Sequence, residues 1–431
     1  MRATRKLYAS ALLVPTALLG LAGCAGSDEP PAGPVVTRTS RGDTAVVRTE
    51  SGSAWGVEAT LVPEVSIGEV EGDLEYLFGR VSSLAVGADG TIYAVDAQVP
   101  ELRAYGPDGA FLRTLGRPGE GPGEIKGPDG GLAILSDGRV LLRDPGNARI
   151  QVYASDGEPL ETWSIRGGFN TSNPLYRDTA DNVYTQILVD PRADIRDWVI
   201  GLVRIGPDGV PLDTVIPPDA GYEPAELEAR SGDKDDQNVS RTGVPFAPSE
   251  QWTLHPRGWF IHGISDAYKL TILRPGSPLI IERAADAAPV TPGEKAEEEA
   301  RVTRNLRMTQ PSWRWNGPAM PDRKPYFRRL YAARDARIWV EVALAGVEVE
   351  DPTYDPKDPE AVPDRWREPV AFDVFETDGT YLGRVRAPLG FSSSPTPVFD
   401  GDHVWATTRD ELGVQRVVRF RVERGAEGTG G

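Results

Sequence analysis

Four arginines lie just before, or within the first residues of, short apolar segments of the chain: Arg80, Arg177, Arg328 and Arg329. Guanidinium groups that converge on one point bind a carboxylate or a sulfate through paired hydrogen bonds. If these segments lie side by side, the arginines would hold an anionic group of a ligand. The alternative is that each arginine pairs with an aspartate or glutamate of a neighbouring segment, and the sequence leaves both interpretations open.

A second candidate site lies in the basic stretch 301–329, which has eight basic residues and one acid. At its centre are Trp313, Arg314 and Trp315, and two tryptophans one residue apart on an extended chain point the same way. They either cover the core or offer a stacking wall for a sugar or peptide. The acidic segments 217–249 and 346–368 flank this stretch, so its charge is either neutralised by them or free to bind an anion.

A repeat supplies the elements that would position these side chains. The stretch 81–115 contains four short apolar runs, and its pattern returns 48 positions later, so that Asp89-Gly90 corresponds to Asp137-Gly138. A fixed period of this size with four strands is typical of a β-propeller blade. The residues 144–153 (DPGNARIQVY) also resemble the NHL repeat. That resemblance implies a propeller that binds proteins, peptides or other ligands, or less often an enzyme.

The spacing of turns predicts six blades. Their bounds are 81–115, 131–165, 174–216, 250–283, 326–387 and 396–421. The last blade has only three strands, whereas 58–67 reads as an isolated strand before the first blade. Pairing the two would close the ring and remove its open sheet edges. We therefore predict an all-β, six-bladed β-propeller over 58–424, closed by an N-terminal strand, with a disordered tail at 425–431.

All long insertions fall on one predicted face of the ring. They are 189–198, 217–249, 284–325 and 346–368. Long loops in compact domains are usually functional or disordered, so this face is the expected binding face. One insertion contains a predicted short helix, which begins with a capping box at Thr291 and Glu294 and has Pro292 at its first position. Its charged residues are expected to form a solvated face.

We expect no metal and no cofactor. Lactonase-like propellers hold an ion with acid and amide side chains of the inner strands, and here the predicted starts of those strands include one acid, Glu250. The three histidines, His255, His262 and His403, are scattered, which does not match the histidine-bound zinc of amidating lyases of NHL type.

The N-terminus predicts export. Residues 1–23 have a basic start and a short apolar run, as in a signal peptide, and residues 21–24 (LAGC) resemble the bacterial lipobox. That resemblance implies a lipid on Cys24, which is the sole cysteine, and anchoring on a bacterial membrane facing the periplasm or cell surface, with the outer membrane favoured by Ala25. Residues 24–57 are rich in Gly, Pro, Ser and Thr and are predicted to be a flexible tether.

The function expected from these features is that of a membrane-tethered binding module, monomeric, whose long-loop face takes a protein, peptide or glycan. The net charge of -17 argues against nucleic acid as a partner. The alternative is a lactonase-like or lyase-type propeller enzyme, although no nucleophile elbow or phosphate-binding glycine loop is present. The fold alone does not decide between a binding protein and an enzyme.

Overall fold

Aspartate–glycine turns join strands of the first two blades. Gly90 and Gly109 both have left-handed backbones, with φ of 85° and 89°, which glycine adopts without strain. The Asp89 carboxylate accepts a hydrogen bond from the Thr91 backbone N–H at 3.0 Å, and Asp108 does the same for Ala110 at 3.1 Å. The paired turns seen in the sequence therefore bend the chain into antiparallel hairpins.

The computed structural model describes part of the chain. The described residues are 33–165, 168–193, 198–232, 238–351, 354–355, 357–358, 361–410 and 413–425. The predicted signal peptide (1–23), the proposed lipidation site Cys24 and the first residues of the predicted tether lie outside the described residues. So does the predicted tail beyond Gly425.

Between residue 33 and the repeat, the structure has three strands, and the first two blades follow. The early strands are β1 (Val35–Arg41), β2 (Thr44–Ser51) and β3 (Ala59–Ile67), followed by a 3-10 turn at Leu74–Tyr76. Blade one consists of β4 (Val81–Val86), β5 (Ile92–Asp96), β6 (Glu101–Tyr105) and β7 (Phe111–Leu115). The short pair β8 (Arg117–Pro118) and β9 (Glu124–Ile125) leads to blade two, formed by β10 (Leu132–Ile134), β11 (Val140–Asp144), β12 (Arg149–Tyr153) and β13 (Pro159–Ser164), with a 3-10 turn at Pro145–Asn147.

Blades three and four are separated by a hairpin. Blade three consists of β14 (Tyr176–Arg177), β15 (Val183–Leu188), β16 (Ile200–Ile205) and β17 (Pro211–Val215). The hairpin is β18 (Glu226–Ser231) and β19 (Asn238–Gly243). Blade four consists of β20 (Glu250–Leu254), β21 (Phe260–Ile264), β22 (Lys269–Ile272) and β23 (Leu279–Arg283).

A helix, α1 (Pro292–Arg307), separates blades four and five. Blade five consists of β24 (Phe327–Ala332), β25 (Ile338–Val342), β28 (Ala371–Phe375) and β29 (Tyr381–Arg386), with the small pair β26 (Val347–Glu348) and β27 (Trp366–Arg367) inserted in it. Blade six contains β30 (Phe391–Ser392), β31 (Val398–Asp400), β32 (His403–Arg409) and β33 (Gln415–Arg424). These bounds lie within a few residues of the predicted blades.

The N-terminal strand closes the ring, as the sequence predicted. β3 pairs antiparallel with β33, from Ala59 opposite Arg424 to Ile67 opposite Val417. It is thus the fourth, outer strand of blade six. A short parallel contact between Val385 and Ala59 also joins β3 to blade five. A strand that precedes the first blade in the sequence therefore completes the last blade.

Apolar clusters fill every interface between neighbouring blades. Leu142 packs with blade one, Val183 with blade two and Leu254 with blade three. Ile281 of blade four meets blade five, and Phe420 of blade six meets blade five from the other side. A sixth cluster joins blade six to blade one. Six interfaces with six clusters make a closed ring, because an open array would leave one apolar blade face in water.

The prediction that residues 24–57 form a flexible tether is wrong for the part that contains β1 and β2. β1 and β2 form a hairpin, and β2 pairs parallel with β23, from Ala45 opposite Leu279 to Thr49 opposite Arg283. The hairpin extends blade four outward. Backbone N–H and C=O groups at the outer edge of β23 pair with β2, and Val46 and Val47 are buried at this contact. Two adjacent valines in a Ser- and Thr-rich segment were too weak a signal for a strand.

The three longest insertions pack against one another on one side of the ring, which we call the insertion face. Leu227 and Val244 from the first insertion share an apolar cluster with Val302 and Leu306 of α1. The Arg365 backbone N–H of the third insertion donates to Glu297 of the helix at 2.8 Å. The fourth insertion, 189–198, is described only in part.

The predicted capping box of α1 is present. The predicted solvated face is found for Glu299, Arg304 and Arg307, which are exposed, but two other acids of the helix are buried. The Thr291 hydroxyl accepts from the Glu294 N–H at 3.2 Å, and the Glu294 carboxylate accepts from the Thr291 N–H at 2.9 Å. Glu294 and Glu297 are only 4% and 5% exposed. Both carboxylates also accept hydrogen bonds from the third insertion, so they join insertions together rather than face water. Within the described residues, no helix has the length and apolar character needed to cross a bilayer.

Candidate functional site at the channel mouth

The inner strands surround a central channel that opens on the insertion face as a cavity of about 580 Å³. Its wall comes from blades one, two, three and six, and it includes Arg80, Ser82, Gly130, Ser172, Ser394 and Arg409. No described residue of the long insertions belongs to this wall; the three longest leave the ring beside blades four and five. The site is therefore built by the ring itself, next to the insertions.

Arg80 is positioned by a carboxylate of its own blade. Asp96, at the end of β5, is fully buried and accepts hydrogen bonds from the backbone N–H groups of Gly79 and Arg80, at 2.7 and 3.0 Å. The Arg80 backbone carbonyl accepts in turn from Ala97. These bonds fix the main chain before β4, while the Arg80 side chain is exposed at the cavity. Asp144 fixes the corresponding loop of blade two by accepting from Lys126 and Gly127.

Arg329 lies slightly deeper in the channel. It lines a second cavity of about 240 Å³, whose wall shares Ser172 and Ser394 with the first. Its Nη1 donates to the Ser393 carbonyl at 2.9 Å. The remaining guanidinium donors are available to a ligand, because the side chain is exposed and forms no ion pair with a described residue.

Arg409 is a third arginine at this opening, and the sequence analysis missed it. It ends β32, where its backbone N–H donates to the Gly390 carbonyl at 2.9 Å. The prediction considered only the starts of the inner strands. The second strand of each blade ends on the same face, so applying the same reasoning to strand ends would have found it. We call Arg80, Arg329 and Arg409 the mouth arginines.

The acids nearest the mouth are already engaged. Asp129 lines the first cavity, but its carboxylate accepts from Arg143 Nε at 2.9 and 3.1 Å and from the backbones of Gly131 and Thr171. Arg143 is 1% exposed, so this ion pair is buried in the wall. Among the described residues, the mouth arginines therefore have no carboxylate within ion-pairing distance, and the mouth has a local positive charge on an otherwise acidic protein.

Two of the four predicted arginines do not reach the mouth. Arg177 lines a cavity at the opposite end of the channel and pairs with Asp181 at 2.7 Å. Arg328 pairs with Glu368, whose Oε1 lies 2.8 Å from its Nε. Of the two interpretations left open by the sequence, convergence is wrong for these two arginines, because each has a carboxylate on a nearby loop that satisfies its charge.

The predicted aromatic site is part of the core. Trp313 is 1% exposed, and its indole N–H donates to the Glu228 carbonyl at 2.8 Å. Trp315 is partly buried and donates to Pro318 at 2.9 Å. Both tryptophans belong to the apolar cluster under the insertions, so Trp313 is not available for stacking with a ligand. Arg314 is exposed between them and lines none of the channel cavities.

The basic stretch is neutralised where it is buried. Lys324, 1% exposed in its side chain, has its ammonium 2.7 Å from both Glu294 and Glu368, and Glu368 also binds Arg328. We call these four residues the Lys324 cluster. Burial opposes ionisation of Glu368, but hydrogen bonds and charges from Arg328 and Lys324 outweigh it and hold the Glu368 pKa below its usual value. The cluster ties two insertions to blade five.

Metal-binding geometry is not found in the described part of the chain: nowhere there do three or more His, Cys, Asp or Glu side chains come together. The inner-strand acid Glu250 lies 3.8 Å from His262 and accepts from the Ala220 backbone N–H at 3.0 Å. Burial lowers the pKa of His262, which favours the neutral imidazole near pH 7.

Comparisons with known proteins find similar folds. No protein-family model and no curated protein sequence matches the chain. Among solved structures, a candidate exported protein from Bacteroides fragilis is similar with 9% identity and a TM-score of 0.46, over 88% of this chain and 100% of that one. A gluconolactonase from Xanthomonas campestris is similar with 14% identity and a TM-score of 0.37, over 84% of this chain and 97% of that one.

A virginiamycin B lyase from Staphylococcus aureus is also similar, with 11% identity and a TM-score of 0.36, over 84% of this chain and 99% of that one. Such low identities carry no activity across to this chain. The class defined by the fold is the six-bladed β-propeller.

Proposed function

We propose that this protein is an exported, membrane-tethered propeller that binds an anionic ligand at the channel mouth on its insertion face. One observation carries the proposal: Arg80, Arg329 and Arg409 are exposed around one opening, and no described carboxylate pairs with them. Arginine presents planar pairs of N–H donors that match a carboxylate or a sulfate. Hydroxyl groups of Ser172 and Ser394 supply further donors around the same cavity.

The architecture suits binding because the main chain around the arginines is fixed before a ligand arrives. Asp96 holds the backbone before Arg80, and strand pairing holds β24 and β32. A site on a rigid ring loses little conformational entropy on binding. The insertions beside the mouth would add specificity for the rest of the ligand, whether that is a peptide, a glycan or an anionic group of a partner protein.

The test is calorimetric titration of the purified domain with sulfate and with butanoate, at low salt. We expect both anions to bind, and each of Arg80→Gln, Arg329→Gln and Arg409→Gln to weaken binding by about tenfold. Arg314→Gln is the matched control, since it removes an exposed arginine of the insertion face that lies outside the channel. Equal binding by the wild type and the triple Gln variant would refute the site.

An enzyme of lactonase-like or lyase type is the alternative, and the same preparation distinguishes it. A binding protein returns the bound ligand unchanged, whereas an enzyme converts it. Stoichiometric calcium or zinc in the purified protein, together with lactone hydrolysis, would move the assignment to the enzyme.

The membrane tether is proposed from the sequence. A lipid on Cys24 would keep the propeller at the membrane, because stable anchoring requires the acyl chains. We expect Cys24→Ser to shift the protein from the membrane fraction to the soluble fraction, measured by fractionation of bacterial cells. Retention of the variant on the membrane would contradict anchoring through this residue.

A further inference from the structure

The central channel continues beyond the mouth arginines, and its wall changes along the way. The cavity at Arg329 adjoins a third cavity of about 320 Å³ toward the opposite face. The two cavities have five wall residues in common: Pro174, Tyr176, Thr253, Tyr331 and Thr396. Since the first two cavities also share wall residues, the three form one path through the ring.

The third cavity, which we call the apolar chamber, is lined mostly by aliphatic and aromatic side chains. Among them are Leu84, Ile134, Leu175, Leu254, Val398 and Phe399. Ile134 and Val398 are only partly buried. A wall of this kind gains free energy when hydrocarbon replaces the water against it.

The charged residues of the chamber are already paired. Arg177 binds Asp181, and Arg334 lies 3.4 Å from the Asp400 carboxylate. Asp178 accepts from the Tyr184 hydroxyl at 3.0 Å. This end of the channel therefore has no counterpart of the mouth arginines among the described residues, and its chemistry is that of an apolar pocket.

We propose that the ligand is an amphipathic carboxylic acid, with its carboxylate at the mouth arginines and its hydrocarbon part in the apolar chamber. This inference rests on the anion site proposed above and names its substrate class. Tyr331 lies two residues from Arg329 on β24 and lines both the cavity at Arg329 and the chamber. That spacing corresponds to about 7 Å along a strand, so an acid needs a chain of at least this length to enter the chamber from Arg329.

The test is calorimetric titration with a series of n-alkyl carboxylates, butanoate, hexanoate, octanoate and decanoate, and with neutral octanol. We expect the shortest acids to bind alike, and affinity then to rise about fourfold per methylene once the chain enters the chamber. Octanol should bind at least tenfold more weakly than octanoate.

Variants locate the hydrocarbon part of the ligand. Ile134→Asp places a carboxylate in the chamber and should weaken decanoate binding at least tenfold; Val398→Asp is the second variant if the first does not fold. Leu212→Asp is the matched control, an aliphatic-to-Asp change at an exposed position of β17, and should leave binding unchanged. Circular dichroism and thermal unfolding check that each variant keeps its fold.

The outcomes separate this inference from the proposed function. Equal affinity for butanoate and decanoate, with binding still lost in the Arg329→Gln variant, would overturn the apolar chamber as a ligand site and leave the anion site standing. Octanol binding as tightly as octanoate would overturn the requirement for an acid. Absence of binding by every acid would overturn both proposals.

Discussion

Arg328 and Arg329 are neighbours in the sequence, yet they belong to two regions with opposite roles. The pairing of β24 with β25 is irregular between Phe327 and Arg329, and Arg328 is left out of the register. Arg328 lies against the insertions, whereas Arg329 lines the channel. Arg328 meets Glu368 and joins the Lys324 cluster, where each charge has an opposite partner. Arg329 has a backbone carbonyl as its described partner and faces an open cavity.

The comparison shows how the same residue type is used for stability in one place and kept available in another. In the Lys324 cluster, partners are supplied by insertions that are far away in sequence. At the mouth, Asp129 lines the cavity but is held by Arg143. A buried charge must keep its partner, because removal of that partner leaves an uncompensated charge, and it cannot bind a ligand. An exposed arginine without an ion pair contributes little to stability and remains free to bind.

Breaking the Lys324 cluster should have the largest effect. Lys324→Met leaves Glu294 and Glu368 without their shared ammonium, and uncompensated buried charge lowers the free energy of unfolding by about 3–5 kcal/mol. Urea denaturation of wild type and variant measures this. Sulfate binding at the mouth should be unchanged in the folded variant. A loss of less than about 1 kcal/mol would show that the cluster is not energetically coupled as its geometry indicates.

The pH dependence of stability should identify Glu368. Its pKa is lowered in the folded state, so its ionic contacts stabilise the fold above the unfolded-state pKa, near 4.5. That contribution is lost as pH falls through the lower folded-state pKa. We expect Glu368→Gln to be less stable than wild type at pH 7 and the two urea midpoints to approach each other below about pH 4. If the difference between the two urea midpoints did not change with pH, the loss of stability would be due to packing rather than to the charge of Glu368.

A carboxylate added to the mouth should reproduce there the neutralisation seen in the Lys324 cluster. Ser172 is exposed and lines both cavities beside the mouth arginines. We expect Ser172→Asp to weaken sulfate or butanoate binding about tenfold, and Ser172→Asn, the uncharged control, to weaken it much less. Calorimetry measures both. Equal losses in the two variants would point to a steric effect.

The smallest effect is expected on stability at the mouth. Arg329→Gln should change the free energy of unfolding by less than about 0.5 kcal/mol, because an exposed arginine without an ion pair contributes little. Anion binding to wild type should weaken as sodium chloride is raised, since the Debye length falls to about 8 Å at physiological salt. A large loss of stability in Arg329→Gln would indicate a structural role.

Much of the ring could be predicted from the sequence because its information is local. Aspartate–glycine turns and alternating apolar residues repeat at a fixed spacing, so they give the blade bounds without knowledge of distant contacts. Closure of the ring by β3 could be predicted from the number of strands. The sixth blade had only three predicted strands, and the strand at 58–67 belonged to no blade. The β1–β2 hairpin escaped prediction because its strands are stabilised by the edge of β23, more than 200 residues away.

The strands and turns of the six blades follow from the residues themselves, and so does the position of Arg80 and Arg329 beside the channel. Whether an arginine is available to a ligand depends on the folded chain. Glu368 lies 40 residues from Arg328 along the chain, in an insertion whose path no periodic pattern specifies. The folded insertions neutralise Arg328 and bury Trp313, whereas the ring alone surrounds Arg80, Arg329 and Arg409. Charge pairing depends on distance in space, and the distances here are set by long-range packing.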